Sequence, residues 1–293
     1  MVMSEPVFTV GEWTSADGLT LRYRDYPGGE GRPPILCIPG LTRNARDFES
    51  VAAAFAGEWR VICADLRGRG LSDYAKDSAS YNPMQYVADI SALLDQAGFE
   101  RVIVIGTSLG GIVAMLLATL APDRIAGVVL NDIGPHIEEA GLARIRDYVG
   151  QGRSYPTWMH AARGLREQGG IAYPEFKVSD WLKLAKRLMA VGPGGRIAFD
   201  YDMKIAEPFS TPSGTAPADM WPAFQALAGR PVLAIRGGVS DILSAATLSR
   251  MKKELPGLEA VTIRRVGHAP TLDEPQALEA ISRLLGKVEA AQA

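Results

Sequence analysis

The chain has 293 residues, 47% of them hydrophobic and 22% charged, with a formal net charge of -2. That length and composition allow a large core, in one big domain or in one domain with an insertion. They exclude a basic, nucleic-acid-binding surface, since no basic stripe stands out.

The start, MVMSEPVFTV, lacks a basic segment followed by an apolar run, so no signal peptide is read. No apolar run is long enough to span a membrane. The two cysteines, Cys37 and Cys63, sit inside apolar strand-like runs and read as buried small hydrophobes. With three histidines and two cysteines, nothing has metal-ligand spacing, so no metal or other cofactor is expected. The expected compartment is a reducing cytoplasm.

In chain order, VFTVGEW, ADG and LTLRYRDY form a predicted hairpin with Asp17-Gly18 in the turn. PPILCIPG is a short, continuously apolar run, as expected of a strand buried on both faces. ARDFESVAAAFAG has helical spacing and stops at Gly57. RVICAD is a second buried strand, followed by the polar loop RGRGLSDYAKDSAS. A helix is predicted from Pro83 to Ala97, closed by Gly98. RVIVIG is a third buried strand, LGGIVAMLLATLA a helix and RIAGVVLND a fourth strand. Strands alternating with helices imply a mostly parallel sheet covered by helices on both faces.

From about Pro135 to about Pro222 no clear apolar strand is visible. GLARIRDYVG, TWMHAARGLRE and SDWLKLAKRLMAVG read as short amphipathic helices with Gly- and Pro-rich links. STPSGTAPAD, near residue 215, reads as a flexible link. Alternation resumes with RPVLAIRGG, a helix near Leu243 to Glu254, the strand EAVTIRRVG and a last helix from about Pro275. The expected organisation is an α/β core of residues 1–134 and 222–293 interrupted by a helical insertion of residues 135–221.

Gly106-Thr107-Ser108-Leu109-Gly110 fits G-x-S-x-G, directly after a strand and before a helix. A turn that tight strains the residue at its tip and holds its hydroxyl above the sheet edge. The helix that follows turns its amino end to the same spot, which favours negative charge there. A phosphate loop is excluded, because Ile112 stands where its lysine belongs. Ser108 is therefore the expected nucleophile. It needs a base and a group to orient that base. His268, in the loop RRVGHAP just past the last strand, is the expected base; His136 and His160 read as ordinary polar groups. The acid should follow another strand end. Asp241, in VSDILS, is preferred, with Asp132 at the end of VVLND as its rival. The oxyanion donors expected are the backbone N–H groups of Leu109 and of Leu41, each worth roughly 3–4 kcal/mol in the transition state.

CIPGLTRN, DLRGRGLSD, GTSLGG, RGGVSDILS and VGHAP, in that order and spacing, resemble the α/β-hydrolase family over nearly the whole chain outside the insertion. The resemblance implies an eight-stranded, mostly parallel sheet with a cap inserted after the sixth strand. It also implies that Ser108, Asp241 and His268 act together, with Leu41 and Leu109 lending N–H groups. Many relatives carry His-Gly in the first loop, where this chain has Pro39-Gly40. Relatives resembling epoxide hydrolases and haloalkane dehalogenases carry aspartate at the elbow, so those chemistries are not expected.

The function expected is hydrolysis of small to medium hydrophobic carboxylic esters through an acyl-enzyme. Lactone hydrolysis is a variant, and carbon–carbon hydrolysis of ring-cleavage diketones an alternative to which Arg43 and Asn44 are the only pointers. A non-catalytic ligand-binding module is a third reading. The aromatic residues of the insertion read mostly as core, with Trp158 and Trp181 offered as pocket residues and Arg43 as the holder of a substrate carboxylate. The partner expected is a small-molecule ester, with no nucleic acid and no membrane, in a monomer or a homodimer.

Overall fold

The computed structural model describes residues 7–210 and 219–291. Most of the expected flexible link, residues 211–218, and the start of the chain, residues 1–6, lie outside the described residues. Strand β1 (Thr9–Thr14) pairs antiparallel with β2 (Thr20–Tyr26), with Thr14 opposite Thr20 across the expected turn. Strand β3 (Ile35–Ile38) follows, buried along its whole length. The next expected helix starts as a 3-10 turn, Ala45–Phe48, capped by the Asn44 side chain, and continues as α1 (Glu49–Phe55). Then come β4 (Val61–Asp65), α2 (Pro83–Gln96), β5 (Val102–Thr107), α3 (Leu109–Leu120) and β6 (Ile125–Asn131). Asn82 caps α2 by accepting from the Gln85 N–H.

Between β6 and the next core strand the chain forms α4 (Glu139–Tyr148), β7 (Ser154–Tyr155), α5 (Trp158–Gly169), α6 (Val178–Leu188), β8 (Met189–Val191), β9 (Ile197–Phe199), α7 (Ala206–Ser210) and α8 (Trp221–Gln225). The expected helices are present, but this stretch is not wholly helical. Strands β7, β9 and β8 pair antiparallel into a small three-stranded sheet. Two- and three-residue strands are too short to display a period of two in the sequence. The core resumes with β10 (Val232–Gly237), α9 (Ala245–Glu254), β11 (Glu259–Ile263) and α10 (Pro275–Ala290).

The main sheet has eight strands in the order β1-β2-β4-β3-β5-β6-β10-β11. Beyond the antiparallel contacts of β2 with β1 and β4, every pairing is parallel. Alternate residues serve opposite faces. Leu36 and Ile38 join the core that contains α2 and α3, while Ile35 and Cys37 join the core that contains α1 and α10. Both cysteines are buried and free. The parallel strands end on one edge of the sheet, and that edge receives the loops carrying Ser108, Asp132 and His268. Among the described residues no helix is long and apolar enough to cross a membrane.

Candidate active site

Ser108 sits between β5 and α3 at φ 52°, ψ -114°, a region that a serine enters only when its surroundings impose it. The flanking glycines make the turn possible. A Cβ at Gly106 would stand 2.4 Å from the Gly110 carbonyl oxygen, and one at Gly110 would stand 2.0 Å from that of Ile38. Neither contact is tolerable, so the strand and helix approach this closely only with hydrogen at both positions.

His268 reaches the serine. Its Nε2 lies 3.0 Å from Ser108 Oγ, and its Nδ1 lies 2.7 Å from Asp132 Oδ2. Asp132 is wholly buried, and its carboxylate is saturated with donors. Oδ1 accepts from the Gly237 N–H at 2.7 Å, and Oδ2 also accepts from the Ser240 hydroxyl at 2.6 Å. A buried carboxylate held by several donors stays fixed in direction. Neighbouring Asn131 ties the histidine loop down by donating to the Pro270 carbonyl at 2.9 Å and to Thr107 Oγ1 at 3.0 Å.

The acid expected from the sequence, Asp241, does not meet His268. Its two oxygens take the Nε and Nη2 protons of Arg144, at 2.5 and 2.9 Å. Burial alone would push the Asp241 carboxyl up, and the Arg144 hydrogen bonds and charge overcome this and hold it below the ordinary value. The cause is local. The loop after β10 points Ser240 inward to Asp132 and turns Asp241 outward to α4. Asp132 immediately follows β6, whose neighbour β5 ends at the serine turn, whereas Asp241 lies four residues past the end of β10. Both acids follow a strand end in the sequence, and only the sheet order, which sets β6 beside β5, separates them. Asn131, Ser240 and Arg69 carried no sequence signal of their role.

Leu109 is the first residue of α3, so its N–H is among those a helix leaves without an internal partner. Leu41 lies across from it, and the carbonyl of Leu41 is gripped by Nε and Nη2 of the fully buried Arg69 at 2.9 and 2.8 Å. Arg69 in turn lies over the rings of Tyr86 and Tyr81, 4.8 and 5.7 Å from their centroids.

A cavity of 260 Å³ opens at Ser108, walled by Leu41, Leu109, Ile112, Ile133, Leu142 and Ile145 among others. Its lining is almost wholly apolar. The tryptophans expected in a pocket are elsewhere. Trp181 is buried in an aromatic cluster with Tyr173 and Phe176, at 5.9 and 5.2 Å, and Trp158 is half-buried against the same core. Helical spacing directs both to the interior of the inserted segment. Arg43 is outside the cavity lining but close to the serine. A Cβ built on Gly40 would touch the Cγ of Arg43 at 3.5 Å and the Cβ of Ser108 at 3.6 Å. Asn44 is buried and donates to the Arg187 carbonyl at 3.0 Å, so it holds structure and does not face the serine. His136 and His160 are exposed.

The inserted segment clasps the histidine loop. The Tyr173 hydroxyl donates to the Ala269 carbonyl at 2.7 Å, and the Gly267 N–H donates to the Ala172 carbonyl at 2.6 Å. Burial pushes the Tyr173 phenol up, so it stays a donor.

A family model for the alpha/beta hydrolase fold matches residues 33–169. A 3-hydroxybutyrate-oligomer hydrolase from Cupriavidus necator is 34% identical over 256 residues, 85% of this chain and 87% of that protein. A 2-(acetamidomethylene)succinate hydrolase from Mesorhizobium japonicum is 27% identical, over 91% of this chain and 92% of that protein. The crystal structure of an alpha/beta hydrolase from Novosphingobium aromaticivorans is 59% identical, with a TM-score of 0.92 over 97% of this chain and 99% of that one. Sheet order, serine turn and relatives agree, and the chain belongs to the α/β-hydrolase family.

Proposed function

We propose that the chain is a serine hydrolase that cleaves carboxylic esters of small to medium hydrophobic substrates through an acyl-enzyme. One observation carries the reading. The hydrogen-bonded series Ser108–His268–Asp132 stands at the mouth of an apolar cavity of 260 Å³. Hydrolase relatives that align along most of the chain support it.

His268 Nε2 takes the proton as Ser108 Oγ attacks the ester carbonyl. Asp132 accepts from Nδ1, which fixes the tautomer and steadies the imidazolium. The oxyanion is received by the N–H groups of Leu41 and Leu109. The tetrahedral adduct collapses as His268 gives its proton to the leaving alkoxide. Water, deprotonated by the same nitrogen, then attacks the acyl-serine and releases the acid. Residues 135–221 act as the cap, with Leu142 and Ile145 of α4 forming the apolar wall over the acyl or alcohol chain.

The test is Ser108→Ala. Turnover of p-nitrophenyl esters should fall by at least about 10⁴ with the thermal unfolding curve preserved. A fluorophosphonate should add its mass to Ser108 and to no other residue. Near-full activity in the variant, or labelling elsewhere, overturns the reading.

A further inference from the structure

Arg43 rides on the same turn as Leu41, its N–H donating to the Gly40 carbonyl at 3.2 Å. Its stem and the Ser108 side chain both flank Gly40. Its charge is only partly paired. Among the described residues its one ion pair is to Asp47, through Nη1 alone at 3.3 Å, beside a hydrogen bond to the Tyr173 hydroxyl and the nearby Tyr148 phenol. The side chain keeps 19% of its surface exposed, and none of its nitrogens is a buried donor without a partner. The guanidinium thus pairs with a single carboxylate oxygen, on the turn that carries Leu41.

Leu142 and Ile145 of helix α4 line the apolar cavity, while Arg144 and Tyr148 of the same helix are outside its lining. Arg144 is consumed by the two-pronged pair with Asp241, whereas Tyr148 stands in the field of both Arg144 and Arg43. Near the serine, outside the lining of the apolar cavity, there is thus a guanidinium whose one carboxylate contact is single-pronged, with two phenols beside it. A planar fork of this kind matches a carboxylate, and a single, partly compensated positive charge suits a monoanion better than a phosphate dianion.

We propose that Arg43 is a specificity-determining residue, and that the substrate is an ester carrying a carboxylate on the arm that does not enter the apolar cavity. This rests on the ester-hydrolase reading above. Two matched pairs of esters test it. In the first, the acyl arm ends in a carboxylate (mono-p-nitrophenyl glutarate) or in its primary amide. In the second, butanoate is esterified to 3-hydroxybutanoate or to 3-hydroxybutanamide. In at least one pair, kcat/KM should favour the charged member by about tenfold or more. Arg43→Gln should collapse that ratio towards one, mainly through KM, and Arg43→Lys should restore part of it. The ratio should also weaken in high salt. Ratios near one in both pairs for the unaltered protein, or a ratio that survives Arg43→Gln, overturn the assignment of Arg43. Failure of the ester reading is a different result: no ester of either pair is turned over, and fluorophosphonate leaves Ser108 unlabelled.

Discussion

Asp132 Oδ2 lies 2.7 Å from His268 Nδ1, and the carboxylate of Asp241 is turned away to Arg144. The two acids therefore separate by experiment. Asp132→Asn is nearly isosteric but offers an N–H where His268 needs an acceptor, so it should lower kcat by about 10⁴. Asp241→Asn breaks a half-exposed pair and should cost less than about tenfold. Initial rates on p-nitrophenyl butyrate decide it, and the reverse ranking would remove Asp132 from the proposed mechanism.

The serine is legible in the sequence because a local constraint makes it so. A turn whose neighbours have room only for hydrogen must be written with glycines at fixed offsets. The buried strands are legible because a parallel sheet covered on both faces needs unbroken apolar runs. The choice between Asp132 and Asp241 was not, since both follow strand ends, and only the sheet order puts β6 beside β5. The grip of Arg69 on Leu41 spans loops that nothing in the chain's periodicity relates. Trp181 has the composition of a pocket residue, and only packing reveals that its ring is spent inside the inserted segment.

Arg69 should support catalysis without touching substrate. Its two hydrogen bonds to the Leu41 carbonyl fix the peptide geometry on which the proposed oxyanion donor depends. Hydrogen bonds from a charged donor are worth about 1.5–3 kcal/mol. Arg69→Met should thus lower kcat by about 10- to 100-fold with a smaller change in KM, and Arg69→Lys should fall between. Because the residue is buried, binding is the sharper readout. Affinity for an alkyl boronate, which forms a tetrahedral anion on the serine, should drop, while affinity for the carboxylic product changes little. Equal losses on both ligands would mean a purely structural role.

The apolar cavity should set the chain length accepted. Leu142 projects from α4 into a volume of 260 Å³. Leu142→Trp should shift the best p-nitrophenyl ester to a shorter chain, and Leu142→Ala to a longer one. Each buried methylene contributes about 0.8 kcal/mol, or about fourfold in kcat/KM. Profiles from acetate to decanoate read the shift, and an unchanged optimum in both variants would place the chain elsewhere.

Acid stability should depend on the triad of charges Asp17–Arg67–Asp89. Arg67 is wholly buried and pairs with Asp89 at 2.6 Å and Asp17 at 2.8 Å. The hydrogen bonds from Arg67 hold the Asp17 carboxyl down to about 2, against burial that pushes it up. A carboxyl lowered on folding stabilises the native state above its unfolded value near 3.8, and that contribution fades as pH falls towards about 2. Asp17 is exposed, so screening limits the effect to about 1 kcal/mol or less. Asp17→Asn should therefore lower the unfolding temperature by a few degrees at pH 7, and the difference should shrink between pH 5 and about 2. Arg67→Met is a harsher change. It strands the buried Asp89 carboxylate and should cost about 3–5 kcal/mol at neutral pH. Thermal melts at several pH values check this, and a deficit for Asp17→Asn that grows in acid would contradict the assigned direction.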